Sequence, residues 1–137
     1  MYYRPSNRFV AEFIGETNFL SGKVISLNNS IVGFDWYGYK IFGASNWGIP
    51  KKGSNITAAL RLENLIFSKV SPKITNKVQG RILNKTFQGS RLLIEILIIN
   101  TDEILLRAFI DNKTAQEIGC GIIWMGWHTE SMAILND

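Results

Sequence analysis

The sequence predicts an all-β protein, a barrel or sandwich made of two related β units and led by a short N-terminal helix. Three observations carry this reading. Short apolar stretches recur about 8–12 residues apart with turn residues between them, the pattern of a small barrel or sandwich. The chain start passes from helical to extended periodicity within residues 8–24. A five-residue pattern of polar, Gly, basic, aliphatic, aliphatic occurs twice, as Ser21-Gly22-Lys23-Val24-Ile25 and Gln79-Gly80-Arg81-Ile82-Leu83.

The opening helix is read from Phe9, Val10, Phe13 and Ile14, which share one face at i, i+1, i+4, i+5. Pro5 and Ser6 suit its start and Gly15 its stop. So apolar a face needs a burial partner. From Asn18 the chain becomes extended, with a strand over 19–25 that contains Gly22. Asn28-Asn29 marks a hairpin turn, strands follow over 31–36 and 39–42 around Gly38, and residues 43–55 form a loop dense in breakers. A strand over 56–61 runs into a tight turn at Leu62-Glu63-Asn64-Leu65, then Ile66-Phe67 is extended.

Residues 71–76 read as a connector, and the half boundary is expected near residue 72. Strands are expected over 78–87 and 92–99 around Gln88-Gly89-Ser90, and over 104–110. One turn of helix is expected at 114–117, then strands over 122–127 and 132–135. Each half also ends a strand on a turn carrying a carboxylate, Leu60-Arg61-Leu62-Glu63 and Trp127-His128-Thr129-Glu130.

The chain has 137 residues, 46% hydrophobic and 19% charged, an ordinary globular composition. Its size supports one domain or two very small ones. Cys120 is the sole cysteine, so no internal disulfide forms. The longest apolar run, 92–99, is too short to span a bilayer and carries Glu95. Net charge is +4, much of the excess lying in Lys69, Lys73, Lys77, Arg81 and Lys85. A solvated face explains that excess more simply than an anionic partner does.

Catalytic groupings are excluded mostly by composition. His128 is the only histidine, so neither a structural zinc site nor a Cys–His nucleophile with an orienting group can be assembled. Residues 43–48 have the glycine spacing of a phosphate loop, but Ile49-Pro50 follow where Lys and Ser/Thr are required. The 16 aromatics invite a single-stranded nucleic-acid reading, yet they are not interleaved with the basic residues, and filling the core is the simpler role.

The run 3–20, Tyr-Arg-Pro-Ser-Asn-Arg-Phe-Val-Ala-Glu-Phe-Ile-Gly-Glu-Thr-Asn-Phe-Leu, strongly resembles the junction between the nucleotide-binding domain and the C-terminal TOBE domain (transport-associated OB fold) of bacterial ABC importer ATP-binding subunits. Leu60-Arg61-Leu62-Glu63-Asn64-Leu65 resembles that family's Arg-Pro-Glu-Asp/Asn-Leu/Ile element, and 78–82 with Phe87-Gln88-Gly89 its second-half strand and aromatic-x-Gly turn. Trp127-His128-Thr129-Glu130 resembles its closing Trp-x-Pro-Glu. Leu62 and Thr129 stand where the family has proline. Phe-Ile-Gly-Glu-Thr-Asn-Phe-Leu looks most like spermidine/putrescine importers, with ferric-iron and sugar relatives close behind.

The resemblance implies an OB-fold-like β-barrel over 18–137, preceded at 1–17 by a junction helix left from an ATPase domain this chain lacks. It implies a regulatory, dimer-stabilising domain that is not itself an enzyme. The full-length subunit would bind ATP and Mg, whereas no cofactor or metal is expected in this chain. Expected partners are the ATPase domain, a second ATPase subunit and the permease subunits, with nucleic acid not among them. The expected location is cytoplasmic, on the inner face of the cell membrane. Phe9, Val10, Phe13, Ile14 and Gly15 are the expected interdomain contacts, and Arg61, Glu63, Asn64, Trp127 and Glu130 form turn motifs or subunit contacts. A free-standing OB-type nucleic-acid-binding module is the alternative, and a small-anion-binding barrel rests on analogy alone.

Overall fold

A computed structural model of the protein describes residues 17–45, 48–101, 103–119 and 121–135. The expected N-terminal helix over 9–14 and its contact residues Phe9, Val10, Phe13, Ile14 and Gly15 lie outside the described residues. What is described is all-β, as the turn spacing predicts, with one short helix in the second half. It divides into two compact units. The first runs to Arg61 and resumes at His128; the second is Leu62–Trp127. The division therefore falls at the carboxylate turn after Arg61, before the connector near residue 72, and the second unit is inserted into the first.

The first unit is a closed barrel of β1 (Thr17–Asn28), β2 (Ile31–Trp36), β3 (Tyr39–Ala44), β4 (Asn55–Arg61) and β10 (Met132–Ile134), in the order β1-β2-β3-β10-β4. Residues 17–23 of β1 pair with β4, and residues 23–28 pair with β2, both antiparallel. A bulge between Val24 and Ser26 accompanies the handover. β10 closes the barrel, antiparallel to β4 and parallel to β3 at Ala133 opposite Ala44. Leu20, Val32, Phe34, Ile41, Leu60 and Met132 are sealed inside. The turn at Tyr37-Gly38 has positive φ at both residues, the geometry of a two-residue hairpin loop.

The second unit holds β5 (Ile66–Ser68), β6 (Asn76–Gln88), β7 (Arg91–Ile98), β8 (Leu105–Ile110) and β9 (Ile122–Trp127). They form an open sheet in the order β5-β9-β6-β7-β8. The helix α1 (Asn112–Ile118), longer than the single turn expected, joins β8 to β9 and packs Ala115 and Ile118 inward. Asp111 caps it by accepting a hydrogen bond from the Thr114 N–H at 2.7 Å.

The two units repeat one plan. β6 pairs with β9 over 76–81 and with β7 over 80–88, with a bulge between Ile82 and Asn84. The repeated pentapeptides thus occupy the same place, with Ile25 and Leu83 as the bulged residues. Even the bonds across the bend match: the Val24 N–H donates to Ser54 O at 2.8 Å, and the Ile82 N–H to Gly121 O at 3.1 Å. Each fourth strand ends in a 3-10 turn, Leu62–Asn64 or Thr129–Ser131, and the short strand beyond it completes the other unit's sheet.

Gly22 and Gly80 sit where the long strands change partner. A Cβ at Gly22 would run into the Asp35 carbonyl oxygen, which is backbone and cannot move aside. At Gly80 it would meet the Ile96 and Met125 side chains. We predict that Gly22→Ala costs about 3 kcal/mol and Gly80→Ala about 1 kcal/mol, because only side chains can relax around an overpacked methyl. Urea unfolding of both variants measures the difference, and equal losses would contradict the strand-crossing account.

Candidate functional site

The two carboxylate turns sit at equivalent ends of β4 and β9. Arg61 is half-buried at the end of β4, Glu63 is exposed and Asn64 half-buried in the turn. Arg61 and Glu63 each have interaction partners in the fold. In the second turn Glu130 and His128 are exposed, whereas Trp127 is 0% exposed. Trp127 therefore holds its turn from within rather than presenting a surface. Its indole Nε1–H has no hydrogen-bond partner among the described residues. A buried donor in that state costs the fold its lost hydration. Trp127→Phe is accordingly expected to cost only about 1 kcal/mol, the lost volume being partly offset by relief of that cost, against about 3–5 kcal/mol for Trp127→Ala. Thermal unfolding separates the two.

A second feature lies in the inserted unit. Before the bulge, odd-numbered residues of β6 point outward: Arg81 stands opposite Leu97 and Ile122 on the outer face. The extra residue Leu83 reverses the alternation. Lys85 and Phe87 then stand opposite Ile94 and Leu92, both buried, and so share their inner face. Together with Asn112, Ala115, Gln116 and Gly119 of the α1 segment they line a groove of about 450 Å³. Leu92 and Ala115 are buried in it, while the Phe87 ring is 72% exposed beside it. The Lys85 ammonium donates to Gly119 O at 2.9 Å, tying the strand to the end of the helix.

The bulge also breaks up the basic run. Lys77 and Arg81 lie on one face of β6 and Lys85 on the other. Lys77 is spent locally on Ser71 Oγ at 3.1 Å and Pro72 O at 3.4 Å. Arg91 lies over the Phe109 ring at 3.6 Å. Among the described residues these side chains therefore form no single cationic stripe. Of the large aromatics, Phe34, Trp36 and Trp127 are buried, so they fill the units rather than form a stacking platform.

Among the described residues no three His, Cys, Asp or Glu side chains come together in a way that would hold a metal. No helix among them is long and apolar enough to cross a membrane. Among the described residues the one shifted acid is Asp111, whose carboxyl is held below its usual value by hydrogen bonds from the Thr114 backbone and side chain, with Lys113 adding a smaller pull. Cys120 lies outside the described residues. The groove was missed from sequence because its two β6 residues reach the inner face only through the bulge. The available signal was the Phe87-Gln88-Gly89 turn.

Comparison with known proteins places the chain. No protein-family model matches it. It is 31% identical over 113 residues to the spermidine/putrescine import ATP-binding protein PotA of Marinobacter nauticus, covering 81% of this chain and 30% of that protein. It is 29% identical over 115 residues to PotA of Trichodesmium erythraeum, covering 78% and 30%. The chain thus spans less than a third of the length of these relatives. Among solved structures, the cytoplasmic molybdate-binding protein ModG superposes with a TM-score of 0.71 at 8% identity, over 88% of this chain and 96% of that one. The likeness to ModG concerns the fold. The relatives bear out the resemblance drawn from the opening run and the ordered motifs.

A pH prediction follows from Asp111. Its folded value is lowered, so its contribution is present above the unfolded value of 3.8 and disappears as pH falls through the folded value. Asp111→Asn keeps a capping oxygen and should flatten that part of the acid limb, whereas Asp111→Ala should lower the melting temperature at neutral pH. Circular-dichroism melts between pH 2 and pH 7, a range of about five units around the carboxylate values, check both.

Proposed function

We propose that this chain, kin along most of its length to the C-terminal part of spermidine/putrescine importer ATP-binding subunits, is the regulatory and dimer-stabilising domain of such a subunit. The observation that carries the reading is similarity over 81% of the chain to a part of those subunits. The all-β, two-unit plan of the described residues is in keeping with that kinship. On this reading the chain hydrolyses nothing by itself, and ATP and Mg belong to the ATPase domain of the whole subunit.

The work of such a domain is mechanical. It holds two subunits together while their nucleotide domains open and close, so its partners are a second ATPase subunit and, through the assembled importer, the permease subunits. Phe9, Val10, Phe13 and Ile14 would dock it to its own ATPase domain. On this reading the exposed carboxylates Glu63 and Glu130, with Arg61 and Asn64, would be the turn residues that meet a partner subunit. The assembly would sit at the cytoplasmic face of the membrane. Polyamine is the transported class that the relatives favour.

Grafting residues 17–135 in place of the corresponding region of a spermidine/putrescine ATP-binding subunit tests this. The chimera should purify as a dimer and support uptake of labelled spermidine close to the parent's. A folded chimera that binds its permease but no longer pairs or transports would overturn the assignment. Nucleic acid is not a partner on this reading, so titration with single-stranded DNA at low salt, where phosphate contacts are strongest, should show no binding.

A further inference from the structure

The groove in the second unit lies beside a stretch of strand edge that has no paired neighbour among the described residues. β9 accompanies β6 only as far as Arg81, opposite Ile122. β6 continues to Gln88 paired with β7 alone. The Ile99 N–H donates to Gln79 O at 3.0 Å, which sets the phase: odd-numbered residues of β7 turn their backbone groups towards β6. Their partners Asn84, Thr86 and Gln88 therefore face β7. Lys85 and Phe87 must turn their N–H and C=O groups the other way, to the open side. Among the described residues nothing pairs with them there.

The same two residues send their side chains onto the face that the groove occupies. Backbone groups for pairing and a recess for alternate side chains thus adjoin, the two requirements of strand addition. Exposure of Phe87 at 72% leaves a large apolar ring uncovered at this place. Among the described residues Lys85 is the only charged one lining the groove. The Asp111 carboxylate, nearby in sequence to the lining residue Asn112, is engaged by the Thr114 N–H.

We propose that the Lys85–Phe87 edge of β6 is a docking site for an extended segment of a partner protein, one that alternates apolar and acidic residues. An added strand would exchange main-chain hydrogen bonds with Lys85 and Phe87. Its apolar side chains would rest on Phe87, Leu92 and Ala115, and a carboxylate would meet the Lys85 ammonium. A second copy of this chain fits less well, because the edge 84–88 carries no carboxylate to meet Lys85. This site is independent of the importer assignment, since it rests on the geometry of one unit.

The test is a nitrogen-15 NMR titration of the whole chain with a short peptide of alternating valine and aspartate, and with its valine–lysine counterpart. The acidic peptide should shift the amide signals of Lys85, Phe87, Ala115 and Gln116. Lys85→Pro removes one outward N–H and the ammonium together at a position where an edge strand tolerates proline, and should weaken binding about tenfold, with far-ultraviolet circular dichroism checking that the variant stays folded. Lys85→Glu keeps the backbone and should favour the basic peptide instead. Binding unchanged in Lys85→Pro, shifts confined to another face, or no binding of either peptide would overturn the proposal. So would shifts at 83–88 that follow protein concentration alone, which would assign the edge to a second copy.

Discussion

One long strand in each unit has to serve two different neighbours, and the rest of the fold depends on how it changes from one to the other. β1 leaves β4 for β2 at Lys23, and β6 leaves β9 for β7 around Gly80 and Arg81. A strand flanked on both sides at such a point must bend sharply. Glycine removes the Cβ that would meet the crossing chain, and one extra residue supplies the twist. The bulge that lets the sheet curl also inverts the side-chain alternation after it. In the second unit that inversion brings a lysine and a phenylalanine to the inner face, beyond the end of β9. The groove is thus a by-product of the bend.

Most of the architecture was legible because period and turn chemistry are local. The apolar run 92–99, the breakers at Asn28-Asn29 and Gly38, and the Gln88-Gly89-Ser90 turn each declare themselves within a few residues. The pentapeptide repeat was legible too, and it marks the same bend in both units. What stayed hidden depends on two segments at once. A bulge is a count of one strand against another, and no single segment carries it. For the same reason Lys77, Arg81 and Lys85 looked like one solvated run, although the pairing puts Lys85 on the other face. The unit boundary was harder still, because the strand after each turn belongs with partners far away in sequence.

The functional reading rests on sequence kinship more than on any cluster of reactive groups. The recurring carboxylate turns illustrate the limit. Their order along the chain pointed to importer subunits, yet the side chains divide into different roles. Trp127 is sealed in and holds its turn, while Glu63 and Glu130 remain at the surface. Leu62 is also fully buried, so the residue standing where the family has proline anchors its turn by packing. A motif read as one object is, in three dimensions, an anchor beneath a display.

The reciprocal placement of β5 and β10 has a consequence for how the chain acquires its shape. β10 seals the first barrel, yet it follows the whole of Leu62–Trp127 in sequence. Closing a loop of that length carries an entropic cost that falls once the intervening unit is itself compact. The inserted unit can assemble largely from neighbouring hairpins, β6 with β7 and β7 with β8, which are fast local contacts. The expected order of events is therefore inverted relative to synthesis: the first barrel, begun earliest, is completed last. Until Met132–Ile134 arrive, the edges of β3 and β4 stand open, and it is in that interval that the chain is most exposed to pairing with the wrong strand.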